Sequence, residues 1–534
     1  MRKLFALLLA AVMLLVACGT PNGQDAGQGA GQATGQADVS AAGQSADLII
    51  VVADEIQGTD MHQLSFTNIA HQLIYVPLVN MDPTNTFPVP SVAESVEILD
   101  DGRKIIFTIP EGMYFSNGQP VTPEAVVRSY ERYIETSVFA SDFDPIDTIE
   151  AVGNTVVFHL EKGAPFLWAV MSSVYSGLVN TDGFTGTDAE FDLSAVTFGP
   201  YYVESWLQGQ HVVLRRNEGF RSFDPNVTNH GPAFPERITV RFISDDFTRI
   251  NELLSGNVDF IDQVPAANLA ELQAAPNIRI AQTYQAGCAF ICFNTDDPIL
   301  SDHSVRLAIA RAINRDEISA AQDRTILPAD GFLTPPMIGF SQESADELRE
   351  LYAFNLDEAN ALLDAAGWTD RDGDIRVRDG ERLSFEFMVA NDNSAQRNAG
   401  PVIQHQLRQI GVEMRITELQ SSTIRDNARA GNYQVAMRRF SWNDADMLTN
   451  LFGTDSGFYS DPTIDALLEE ARYITDGADR AAKYAEVQRE LFRQLPAIPL
   501  FYEVIFRAYL DTLEGVAFSS TGGFLIHDVV NNRR

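Results

Sequence analysis

Cysteine is close to absent from this chain, and positive charge is scarce. Three cysteines in 534 residues, Cys18, Cys288 and Cys292, are too few to staple a fold with disulfides. Cys288 and Cys292 fall four residues apart on one face of an apparent strand, which separates them by about 13 Å. A disulfide needs Cα atoms within about 7 Å, so the two are expected to stay unbridged, as small core or cleft-wall residues. The eight histidines show no i, i+3 or i, i+4 pairing, and none lies near the two cysteines, so a metal site built by the protein is unsupported. Only 38 Lys and Arg stand against 73 Asp and Glu, a net charge of −35. A surface that acidic repels phosphate backbones and excludes a nucleic-acid partner. Also missing are a Gly-x-Ser-x-Gly elbow and a His-Glu-x-x-His helix. Asp444 and Asp446 could imitate a glycosidase pair, but spacing in sequence establishes no separation in space. The protein is expected not to be an enzyme, and to need no cofactor.

Long apolar runs are lacking too, with one exception. Arg2-Lys3 precedes the apolar stretch Leu4 to Leu15, closed by Val16-Ala17-Cys18. That run is too short to span a membrane stably and has the layout of a secretory signal over residues 1–17. The small residue before Cys18 resembles a bacterial lipobox, in which Cys18 becomes the lipidated first residue of the mature protein. The alternative is a plain signal peptide with an incidental cysteine. From Cys18 to Ala46 the chain is a Gly/Gln/Ala-rich linker that cannot bury a core and would reach roughly 30 Å. The globular part is therefore expected to hang from the outer face of the cytoplasmic membrane.

A chain of this length exceeds one hydrophobic core, and two to four lobes are expected. Its pivot is Phe290 to Ile318. A buried strand there runs through a polar turn into a helix whose apolar residues Val305, Ala308, Ile309, Ala312 and Ile313 share one face. Asp302 is the expected N-cap. Before the pivot lie the strand Leu48 to Ala53, a helix pattern over Phe66 to Tyr75, and hairpins over 92–109 and 146–160. Between those hairpins, Thr122-Pro123-Glu124 has the form of a helix start. After it come a strand over Leu383 to Val389, a helix over Val402 to Ile410 and a strand over Val412 to Ile416, an α/β order that implies parallel pairing. Two helices follow, Pro462 to Ile474 and Asp479 to Gln494, and then an extended stretch, Pro496 to Leu500. Asp370-Arg371-Asp372-Gly373-Asp374 has glycine at the wrong position for a calcium loop and is expected to be a solvated turn.

Several short pieces together resemble the extracellular solute-binding proteins of ABC importers, family 5 (peptide/nickel type). They include Tyr75-Val76-Pro77-Leu78-Val79, Ile109-Pro110-Glu111-Gly112-Met113-Tyr114-Phe115-Ser116-Asn117-Gly118, Gly199-Pro200-Tyr201 and Leu254-Ser255-Gly256-Asn257-Val258-Asp259. Phe293-Asn294-Thr295, Ala312-Ile313-Asn314-Arg315 and Tyr459-Ser460-Asp461-Pro462 continue the series in the family's order. The resemblance implies an α/β, two-lobed periplasmic-binding-protein-like fold of type II with an extra subdomain. Lobe I would comprise 47–75, 176–290 and 500–534, the subdomain 76–175, and lobe II 291–499. A monomer would capture a solute between the lobes, a short peptide first of all, and dock on membrane permease subunits. An oligosaccharide or a metal chelate is the alternative ligand within this fold, and a secreted hydrolase the alternative outside it.

The resemblance also points to the site. In peptide-binding relatives a tryptophan near Phe440-Ser441-Trp442-Asn443-Asp444-Ala445-Asp446 is followed by an aspartate that pairs with the ligand's ammonium. Trp442 is the expected aromatic platform, and Asp444 and Asp446 compete for the ammonium. In the competing reading Asp446 caps the helix from Met447 to Phe452. Arg439 could meet a ligand carboxylate. Ser65 and Phe66 follow the departing loop Thr59-Asp60-Met61-His62, and Phe290 and Asn294 lie at the crossover.

Overall fold

The computed structural model describes residues 45–454 and 458–533. Cys18 and nearly all of the expected tether lie outside the described residues. The largest sheet has 12 strands and runs through both lobes. Its path is 413–419, 384–390, 435–439, 289–293, 497–510, 260–261, 48–52, 237–242, 211–216 and 201–207. In the first lobe Leu48–Val52 lies parallel to both Arg237–Phe242 and Phe260–Ile261. Alternation places Leu48, Ile50 and Val52 in one apolar cluster and Val51 in another, so helices and loops cover both faces.

The strand Ala497–Leu510 joins the lobes. Its first half pairs with Ala289–Phe293 and Ile326–Pro328, its second with Ile278–Tyr284 and Phe260–Ile261. The chain crosses once more where Ile278–Tyr284 gives way to Ala289–Phe293, and there it kinks. Gly287 has φ +77° and lies so close to Phe440, the residue after the strand Val435–Arg439, that a Cβ would sit 2.0 Å from its carbonyl oxygen. Only glycine meets both demands. Beyond the crossing, Asp302 accepts the Ser304 N–H at 2.9 Å and starts the helix His303–Ala312, as expected.

The second lobe holds the parallel pair Ser384–Ala390 and Glu413–Leu419. The connecting helix is longer than its apolar pattern suggested, Ser394–Arg408 with Pro401 inside it. Asn393 caps it through the Gln396 N–H, and burial of Gln396, Ala399, Gly400, Ile403 and Leu407 offsets the proline's missing donor. The helix expected from Phe66 is shorter, Ile69–Ile74. Asn68 and His71 close a capping box there, which leaves Phe66 outside. Asp370–Asp372 and Ile375–Arg378 form a hairpin in which Asp372 pairs with Arg382 and Asp374 with Arg408. The extra subdomain is a four-stranded antiparallel sheet, in the order 95–99, 104–108, 155–160, 146–152. Helix Pro123–Thr136 lies on it, and Thr122 is its N-cap.

Candidate ligand cleft

A cavity of about 820 Å³ lies at the crossing of the lobes, within the usual range for a small-molecule site. Its first-lobe and subdomain walls carry Ser65, Phe66, Asn80, Tyr175 and Asp224; the crossing strands supply Tyr284, Gln285 and Arg507. Arg439, Ser441 and Asn443 close it from the second lobe, and the loop around Phe524 and His527 from the C-terminal side. Two walls reach the cavity through a strand end and a third from within a strand. Arg439 ends the strand Val435–Arg439, Tyr284 ends Ile278–Tyr284, and Arg507 is set by its register opposite Ala281.

Both cavity arginines are already matched. Arg439 lies 3.1 Å from Glu503 and donates to the Gln285 side chain at 2.6 Å. Arg507 lies 2.8 Å from Asp262, donates to the Thr283 hydroxyl at 2.6 Å, and places its guanidinium 4.5 Å from the centre of the Phe518 ring. Asp224 differs. Only 2% exposed, it accepts the Asn80 amide at 2.5 Å and the Asn226 N–H at 2.8 Å, and burial raises its pKa. His527 packs 5.5 Å from Phe220, and burial lowers its pKa to about 4, so its imidazole is neutral.

Of the eight residues expected at the site, Arg439, Ser65 and Phe66 line this cavity, and Phe66 is 47% exposed there. The other five do not. Asp444 is buried in a two-point pair with Arg480, at 2.6 and 2.7 Å, and accepts the Asp446 N–H as well. Asp446 is buried too, 3.5 Å from Arg472 and hydrogen-bonded to Thr449 and Tyr484. It occupies the N-cap position of Met447–Phe452, yet its carboxylate bonds the Thr449 hydroxyl instead of a helix N–H. Each faces an arginine of its own lobe, and neither lines the cavity. Trp442 is half-buried and packs against both the second-lobe core and the subdomain core. Phe290 is fully buried in an aromatic cluster with Phe332, Phe452 and Phe458. Asn294 fastens a turn by donating to the Tyr433 carbonyl at 2.8 Å. Cys288 and Cys292 are free and buried, and burial raises both thiols, Cys292 to about 11.

Asp224, Arg507, His527, Asn80, Tyr175 and Tyr284 also line the cavity, and none of them was expected there from the sequence. Asp224-Pro225 has only the signature of a turn, and the extended stretch expected over Pro496 to Leu500 stops short of Arg507.

Around Trp442 the subdomain and second lobe meet directly. Asn85 donates to the Asn443 carbonyl at 3.0 Å, the Lys162 ammonium sits 3.1 Å from the Tyr473 ring centre, and the Arg472 guanidinium 4.7 Å from that of Phe166. The cleft is thus bridged at its rim as well as at its hinge.

Residues 88–460 match the sequence profile of the bacterial extracellular solute-binding proteins, family 5, middle region. The chain is 23% identical over 471 residues to a probable deoxycholate-binding periplasmic protein, YgiS, of Escherichia coli (strain K12), covering 82% of this chain and 83% of that one. It is 22% identical over 454 residues to the oligopeptide-binding protein AppA of Bacillus subtilis (strain 168), 80% of each chain. Among solved structures, HbpA2 from Haemophilus parasuis superposes with a TM-score of 0.77 at 20% identity, over 91% of this chain and 99% of that one.

Proposed function

The chain belongs to the bacterial extracellular solute-binding proteins of family 5, which serve ABC importers, and we propose that it captures a short peptide between its lobes for a membrane permease. The observation that carries this reading is the cavity itself. It lies where both chain crossings meet, and both lobes and the subdomain contribute to its wall. A peptide backbone offers donors and acceptors in equal number, and Asn80, Gln285, Asn443 and the serines of the wall can answer both. Phe66, Tyr175 and Tyr284 offer aromatic surface for side chains. The name of the Bacillus subtilis relative, an oligopeptide-binding protein, is consistent with this ligand class.

On this reading the lobes divide near residues 290 and 500, and closure turns about the two crossings. A bound peptide touches both halves and raises the closed population. Cys18 carries the lipid anchor, and replacing it with serine should release the protein from the membrane fraction.

The test is mass spectrometry of what co-purifies with residues 47–534 after mild denaturation. Short peptides are the expected result. Recovery of an oligosaccharide would overturn the peptide assignment, and recovery of a cleaved solute would overturn binding without catalysis.

A further inference from the structure

Five carboxylates are buried among the described residues: Asp60, Asp224, Asp259, Asp444 and Asp446. Four have an arginine. Asp60 pairs with Arg132, Asp259 with Arg533, Asp444 with Arg480 and Asp446 with Arg472. Asp224 has no ion-pair partner among the described residues, and it alone of the five lines the cleft cavity. Burying an ionised carboxylate costs several kcal/mol unless it is paired or fully hydrogen-bonded. An ionised carboxylate offers about four lone-pair sites. The Asn80 amide, the Asn226 N–H and the Asn226 side chain fill three of them, and His230 is the titratable group nearest its charge.

A second group on the same cavity is also left open. His527 is buried, and neither of its ring nitrogens has a hydrogen-bond partner among the described residues. A neutral imidazole has one nitrogen able to accept an N–H and one able to donate. The cleft therefore holds a buried carboxylate with no arginine or lysine partner and an imidazole with no partner, while its two arginines carry their own carboxylates.

We propose that Asp224 is the anchor for a cationic nitrogen of the ligand, an ammonium group, with Asn80 orienting the carboxylate and His527 taking a further ligand hydrogen bond. This deepens the cleft reading and rests on it. It moves the charge recognition from the second-lobe segment after Trp442 to the first-lobe wall. A ligand ammonium at Asp224 would complete the pairing that the other four buried aspartates obtain from within the chain.

The test is a thermal-shift and calorimetric panel on residues 47–534. It comprises alanine peptides of two to five residues, the same peptides N-acetylated, putrescine, and maltose-series oligosaccharides. Free peptides should bind, their acetylated forms should not, and Asp224→Asn should weaken free peptides by about thirtyfold or more. The apo melting temperature of Asp224→Asn should be unchanged or raised, since the variant strands no arginine or lysine. Should that variant fail to fold, the comparison of free and acetylated peptides on the unaltered protein still decides. Equal binding of acetylated peptides, undiminished binding by Asp224→Asn, or binding of oligosaccharides alone would overturn the anchor. Putrescine binding that depends on Asp224, with no peptide bound, would keep the anchor and overturn the peptide assignment. A panel in which no cationic solute binds counts against the anchor.

Discussion

Replacing Asp444 with alanine should destabilise the protein and leave ligand affinity as it was. The carboxylate makes two charge-assisted bonds to Arg480, whose side chain is only 3% exposed. Removing one partner strands a buried guanidinium, which costs about 3–5 kcal/mol. The Asp446 N–H loses its acceptor at the same time, adding about 1 kcal/mol or more. With an unfolding entropy near 2.1 cal/mol/K per residue over roughly 490 residues, the melting temperature should fall by about 4–6 °C if the body unfolds as one. Independent unfolding of the second lobe, about 200 residues, would more than double that shift. Differential scanning calorimetry reads the stability and titration calorimetry the affinity. The paired change Asp444→Leu with Arg480→Met should recover most of the loss, because apolar side chains of similar volume replace a buried ion pair at little cost. An unchanged melting temperature with affinity reduced about tenfold or more would refute this reasoning and return Asp444 to the ligand.

Trp442→Ala should lower stability by roughly 1–3 kcal/mol, less than truncation of a fully buried aromatic, because the ring is shared between the subdomain and second-lobe cores. Small-angle scattering of that variant should show a larger radius in the ligand-free state; an unchanged radius would remove Trp442 from the rim bridge. Arg132→Met should cost about 3–5 kcal/mol by leaving Asp60 buried and unpaired in the loop that precedes the first helix, measured as a drop in denaturation midpoint. Stability should also fall on acidification. His62, His71 and His527 are held neutral by burial with pKa values of about 4, so the unfolded chain takes up their protons first as pH falls below about 6.5. Each contributes a loss of about 1.4 kcal/mol per pH unit between about 6.5 and 4, with nothing lost above that window. The carboxyls of Asp142, Asp224 and Asp446, raised by burial, oppose the trend in part. A melting temperature flat from pH 7 to 5 would count against buried, neutral histidines.

What the sequence alone determined is what depends on neighbours along the chain. Asp302 and Thr122 were legible as caps because a cap bonds N–H groups two or three residues on. The apolar run of Leu48–Val52 and the glycine turns of the two hairpins were legible for the same reason, as was the order of family motifs. Packing overrode a local signal at Pro401, which lies inside its helix, whereas Phe66 was left outside its own by the capping box of Asn68 and His71. Which carboxylate meets which cation was decided only by the tertiary structure. Asp444 and Asp446 look alike in sequence, and so does Asp224, but the helices behind the second lobe bring Arg480 and Arg472 to the first two, while the third meets Asn80 and no arginine. Ion pairing acts through space at a few ångströms, between residues that here lie from 26 to 274 positions apart, so no local pattern records it.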